Sequence, residues 1–204
     1  MNLNNFNSLI ELFFYQSERQ NPKSVFLEWL NPNNKKIFTW EETTLNIFKF
    51  SKVLKETVKN GDRCLLVSEN RPEWFISDLA IMLANAITVP AYTTYTEEDY
   101  KYLIEDCEPS LVIVSNKEML NKLKTTLNEK SFIKKIITFD EIEKPHHKLN
   151  LESKDKYLNF KSIINNDLSE EDKNQTTNLK RSSPACIIYT SGTGGNPQGV
   201  ILSH

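Results

Sequence analysis

"RCLLVSENRPEWFISDLAIMLANAITVPAY", residues 63–92, holds one complete structural unit. "RCLLV" is short, apolar and β-branched or leucine-rich enough to be a buried strand. "SENRP" is a polar loop in which Pro72 suits a helix's first turn, where an N–H has no partner to lose, and Glu73 favours the positive end of the helix dipole. Phe75, Ile76, Leu79, Met82 and Leu83 then recur on one helical face, and "AITVP" returns as a second strand. A strand, a helix of ten or more residues and another strand imply a right-handed crossover between parallel strands.

The same grammar continues outward. Thr96 and Asp99 have capping-box spacing before a helix carrying Tyr100, Leu103 and Ile104. "SLVIVS" follows as an apolar strand, residues 117–128 as a helix and "FIKKIITF" as another strand. Toward the N-terminus, residues 8–20 form an amphipathic helix ending before Pro22. "VFLEWL" and "IFTW" read as two strands joined by a polar turn. Thr39 and Glu42 open a helix with Ile47, Phe50, Leu54 and Val58 at helical intervals, about five turns long, until Asn60-Gly61 provides a left-handed stop. The fold class is therefore α/β: a parallel sheet flanked by helices. Residues 140–184 are polar, lysine-rich and weakly periodic, a surface excursion with one short helix near 158–165, after which "ACIIYT" begins another strand.

Composition excludes several partners. With 204 residues, 39% apolar and 25% charged, the chain has ordinary globular character, and a net charge of -2 without like-charge blocks offers no footprint for nucleic acid. The start lacks a basic leader and no apolar run is long enough to span a bilayer, leaving peripheral contact as the open membrane alternative and a cytoplasmic location as the expectation. Cys64, Cys107 and Cys186 read as small hydrophobes with no disulfide or CxxC metal pattern. His146 and His147 lack a third ligand at useful spacing, so a solvated loop is expected rather than a metal site. Trp29, Trp40 and Trp74 read as core residues. His204, the last residue, is expected to be loosely held.

The strand "ACIIYT" leads into "SGTGGNPQGV", residues 191–200, which holds four of the five glycines of the chain. Glycine leaves no Cβ between backbone N–H groups and a ligand, and Thr190, Ser191 and Thr193 add hydroxyl donors suited to phosphate oxygens. A Walker A loop would need lysine and serine where Val200 and Ile201 stand, and a dinucleotide fingerprint would need glycine at Pro197. The residues alone leave an anion-binding loop and a plain glycine-rich turn both open.

"YTSGTGGNPQGV" is similar to the phosphate-binding signature Y-T-S-G-T-T-G-x-P-K-G-V of the AMP-forming acyl-adenylating superfamily, with nine of its eleven specified positions matched. Gly194 replaces threonine and Gln198 replaces lysine. The segment 68–92 resembles one that long-chain fatty acyl-CoA synthetases carry ahead of this loop. The resemblance implies that the loop joins two antiparallel strands, and that Thr190, Ser191, Gly192, Thr193, Gly194, Gly195, Asn196, Pro197, Gln198 and Gly199 form the nucleotide site. It also implies ATP with Mg²⁺, a fatty acid and coenzyme A as reactants. In the family, the adenine-contacting segment, the acidic magnesium ligand, the ribose-binding aspartate and the domain with the catalytic lysine all lie beyond the loop. The chain is thus read as an incomplete N-terminal portion of an adenylation domain, without a catalytic residue or metal ligand of its own. The alternatives are an adenylating enzyme for another acid and a non-catalytic nucleotide-binding or interaction module.

Overall fold

The computed structural model describes residues 2–30, 35–142, 157–175, 177–190 and 196–204. Its elements in chain order are α1 (Leu9–Ser17), β1 (Val25–Trp29), β2 (Lys36–Thr39), α2 (Trp40–Lys55), β3 (Arg63–Val67), α3 (Pro72–Leu83), β4 (Ile87–Ala91) and α4 (Glu97–Cys107). There follow β5 (Leu111–Val114), α5 (Lys117–Glu129), β6 (Lys135–Thr138), β7 (Tyr157–Asn159), α6 (Phe160–Ile164), α7 (Glu170–Lys173), β8 (Pro184–Thr190) and β9 (Gln198–Ser203). His146 and His147 lie outside the described residues.

The main sheet has the order β7-β6-β5-β3-β4-β8-β9, parallel throughout except for the antiparallel β8–β9 pair. Strand β3, which opens the series, lies centrally between β4 and β5, so successive crossovers run in opposite directions and place helices on both faces. On one face α1, α2, α3 and α6 enclose Ile47, Phe50, Leu54, Leu66, Ile76 and Ile113; on the other α4 and α5 enclose Leu65, Val112, Leu103, Ile104 and Leu123. The central strands are apolar on consecutive residues because they are covered on both sides. β1 and β2 form a separate antiparallel hairpin; Trp40, 3.8 Å from Phe26, and Trp74 pack against the core as expected, whereas Trp29 faces Lys36 and Arg71.

The capping boxes at Thr39–Glu42 and Thr96–Asp99 are both made. The helix begun at Thr39 ends at Lys55, however, short of Asn60-Gly61. Val58 is buried outside it, where its N–H still bonds the Leu54 carbonyl at 2.9 Å. Gly61, at φ 79°, instead turns the chain into β3, its N–H bonding the Asn85 carbonyl.

Within 140–184, Tyr157–Asn159 extends the sheet beside β6, an addition too short for periodicity to reveal. α6 buries Phe160 and Ile163. Three lysines spaced three apart on α2 hold the segment from Ile164 to Gln175: Lys49 Nζ donates to the Ile164 carbonyl (2.6 Å), Lys52 to Asp172 (2.7 Å) and Lys55 to Gln175 Oε1 (2.7 Å). His204 is also held: its backbone N–H donates to the Ser183 carbonyl at 3.2 Å and its half-buried ring accepts from Leu9 N–H at 3.4 Å. Fixing it against α1 corrects the expectation of a loose end.

β9 lies at the sheet edge with Val200, Ile201 and Leu202 exposed at 44%, 63% and 47%. An apolar edge with unpaired backbone groups recruits other strands. Ile201→Lys is expected to lower self-association of the chain while changing stability by less than about 0.5 kcal/mol. Light scattering against concentration checks this, and unchanged association would remove β9 as its cause.

Candidate nucleotide site

Because β3, β4 and β8 run the same way, their C-terminal ends lie at one edge of the sheet, where ligands of open α/β sheets bind. A cavity of about 420 Å³ opens there, with Ser68, Asn70, Trp74, Tyr92, Thr93 and Tyr189 among its lining residues. This size falls within the range of small-molecule sites.

Of the ten residues assigned from sequence, Ser191, Gly192, Thr193, Gly194 and Gly195 lie outside the described residues. Thr190 and Gln198 are the last paired residues of the β8–β9 hairpin, facing each other at the end nearest its connecting loop, with Tyr189 opposite Gly199 behind them. The antiparallel pairing agrees with the topology that the resemblance implies. Thr190, Asn196 and Gln198 are exposed, and Gln198 donates its side-chain amide to the Asn196 carbonyl at 3.3 Å. A position filled by a lysine in the signature is thus filled here by a neutral group bonded within the hairpin.

Gly199 has a steric explanation. A Cβ there would lie 2.9 Å from Ile187 Cγ2 and 3.2 Å from the Tyr189 ring, both on the opposing strand. Tyr189 is buried and its hydroxyl donates to Asp106 Oδ2 at 2.5 Å; Tyr102 Oη donates to the Pro197 carbonyl at 2.9 Å. Burial, reinforced by the bond to Asp106, pushes the Tyr189 hydroxyl far above its usual pKa, so it remains a donor. Tyr102 and Asp106 escape sequence reasoning. They sit four residues apart on α4, and no local pattern links them to a strand 83 residues further on.

Arg71 is the N-cap of α3 and Glu73 lies in its first turn, as the sequence places that glutamate, and the two also form a buried pair. Glu73 accepts from Arg71 Nε (2.9 Å) and Nη2 (3.0 Å) and from Lys36, while Arg71 also reaches Asp140 at 3.0 Å. Cys64 and Cys107 are buried and Cys186 half-buried, and all three are free; burial raises their thiol pKa values, that of Cys107 to about 12. Among the described residues no group of three or more His, Cys, Asp or Glu side chains is arranged to hold a metal ion. The magnesium implied by the resemblance has no donor set of that kind among them. No described helix is long and apolar enough to cross a membrane.

Solved structures share this architecture. The anthranilate CoA ligase AuaEII in complex with anthranoyl-AMP superposes with a TM-score of 0.80 at 20% identity, covering 97% of this chain and 35% of that one. A luciferase-like enzyme from the nonluminescent Zophobas morio mealworm also gives 0.80, at 17% identity, covering 100% and 44%. The family model for AMP-binding enzymes matches residues 14–204, and the chain belongs to that family. Curated relatives include the long-chain-fatty-acid–CoA ligase ACSBG2 of Xenopus laevis, 30% identical over 66% of this chain and 18% of the relative. Long chain acyl-CoA synthetase 3 of Arabidopsis thaliana is 31% identical over 72% of this chain and 22% of the relative. The chain spans about a fifth of the length of the curated relatives it matches.

Proposed function

We propose that this chain carries the phosphate loop of an ATP-dependent, AMP-forming ligase acting on long-chain fatty acids. The observation that supports the reading most is the antiparallel β8–β9 hairpin, in which Thr190 pairs with Gln198 on either side of the nine-of-eleven signature match. The curated relatives, long-chain fatty acyl-CoA ligases, support the substrate class.

The reaction has two steps. A fatty carboxylate attacks the α-phosphate of ATP, giving acyl-adenylate and pyrophosphate; coenzyme A thiol then displaces AMP to form the thioester. Carboxylate and triphosphate repel each other, so the protein's task is to hold both anions and supply donors to the phosphates. Thr190, Ser191, Gly192, Thr193, Gly194 and Gly195 are assigned to the β- and γ-phosphates, with the Thr193 hydroxyl a donor, and Asn196, Pro197, Gln198 and Gly199 complete the turn. Mg²⁺, when bound with ATP, offsets phosphate charge. The remaining reaction groups belong to segments beyond the loop, so residues 1–204 alone are expected to release no pyrophosphate.

The test is a chimaera with residues 1–204 in place of the matching part of a curated long-chain-fatty-acid–CoA ligase. ATP-dependent formation of long-chain acyl-CoA, detected by mass spectrometry, is expected; thioesters of aryl or short-chain acids alone would overturn the substrate class. In the same chimaera Gln198→Lys is expected to lower the KM for ATP severalfold. A hydrogen bond involving a charged group is worth about 1.5–3 kcal/mol against about 1 for a neutral pair. An unchanged KM would show that position 198 does not meet the nucleotide.

A further inference from the structure

We propose that Tyr102 and Asp106 are positioning residues through which α4 sets the two feet of the phosphate loop. The inference rests on the nucleotide reading of the β8–β9 hairpin and extends it to residues outside the signature.

The hairpin meets the rest of the sheet through few backbone bonds at this end. β8 is registered on β4 only at Thr88 and Cys186, and β9 has no neighbour beyond β8. Backbone pairing therefore leaves the tip of the hairpin, four residues past Cys186, without a lateral support. α4 supplies one to each strand. On the β8 side the Tyr189 hydroxyl is bonded to Asp106; on the β9 side the Pro197 carbonyl is bonded to the Tyr102 hydroxyl. Residues i and i+4 share a helix face, so one surface of α4 holds both feet. The helix itself is firmly placed: Tyr100, Leu103, Ile104 and Cys107 are buried, and Thr96 with Asp99 caps its start.

Gly199 belongs to the same device. The missing Cβ leaves the space into which the Tyr189 ring lies across β9, and a larger residue would displace the ring whose hydroxyl meets Asp106. The bond to Asp106 is charge-assisted and the other is neutral, so the two anchors differ in strength. Asp106 is exposed, and Tyr102, half-buried, lays its ring against the apolar cluster of Leu103 and Ile104, so Tyr102→Phe keeps that packing and removes only the hydroxyl that meets Pro197. Their role at the loop is thus separable from folding.

The test uses Asp106→Asn, Tyr102→Phe and the double variant. In the chain of residues 1–204, NMR hydrogen exchange at the Thr190, Gln198 and Gly199 amides is expected to rise about tenfold in Asp106→Asn and less in Tyr102→Phe, with Tm and the exchange of β3 and β5 amides unchanged. In the chimaera the KM for ATP is expected to rise by a similar factor with kcat within about twofold, and Asp106→Glu is expected to recover part of the loss. Exchange confined to wild-type rates in both variants overturns the proposal, as does a parallel rise across the whole sheet, which would mark a general stability role. A chimaera inactive with every acid, together with the expected local exchange, supports the anchoring and sinks the ligase reading instead.

Discussion

Glu73→Ala is expected to destabilise the chain by about 3–5 kcal/mol, because it removes one member of a buried ion pair and strands the other. Glu73 is 2% exposed, and the Arg71 side chain that grips it with two N–H donors is 1% exposed. Arg71 retains Asp140 and, at 3.5 Å, Glu69 after the substitution, but both carboxylates are largely exposed and neither grips it with two donors. The arginine also lies 4.8 Å over the Trp29 ring, and Lys36 reaches Glu73 from β2, so the same carboxylate fastens the β1–β2 hairpin to the start of α3. Urea unfolding at neutral pH measures the cost, and a loss below about 1 kcal/mol would mean that the pair contributes no more than a surface bridge.

The same group sets the sign of the pH dependence. Burial alone would raise the Glu73 carboxyl, but the bonds from Arg71 and Lys36 outweigh it and hold its pKa below the ordinary 4.5. A carboxyl depressed in the folded state contributes stability that is complete above its unfolded value and is lost as pH falls toward its folded one. Wild-type stability should therefore decline as pH is lowered below about 4.5, and Glu73→Ala should decline less.

Gly199→Val is the second large effect. Its side chain would occupy the space of Ile187 Cγ2 and the Tyr189 ring, and overpacking of this kind costs about 1–3 kcal/mol. Relief requires β9 to move from β8 or the tyrosine to leave Asp106, and either displaces Gln198 from Thr190. In the chimaera this should lower kcat/KM for ATP by about tenfold or more, since about 1.4 kcal/mol is a factor of ten. Because β9 is an edge strand, the helices and the strands from β3 to β7 should keep their far-ultraviolet signature. Wild-type kinetics in this variant would show that hairpin register is irrelevant to nucleotide use.

The helices and central strands were legible because burial on both faces imposes long, regular patterns: Leu66, Ile76 and Ile113 belong to runs that could be little else. The ends were less legible. Val58 continues the helical spacing of α2 although the backbone has already turned, since burial in a connecting turn and burial on a helix look alike in sequence. Tyr157–Asn159 is too short to carry a period. At the site, the signature revealed the loop but not its supports. Asp106 is an ordinary exposed carboxylate on α4, and only the fold brings it to Tyr189. Glu73 does stand in the first turn of α3, as its position announces, but nothing local shows that Arg71 and Lys36 converge on it from the loop and from β2.

The most direct measurement is ATP–pyrophosphate exchange by the chimaera at saturating magnesium nucleotide. A phosphate loop in this hairpin predicts exchange that depends on added long-chain fatty acid and disappears when the segment from Thr190 to Gly199 is replaced by an unrelated hairpin loop. Exchange that survives this replacement, or a folded chimaera that supports none with any carboxylic acid, would contradict it.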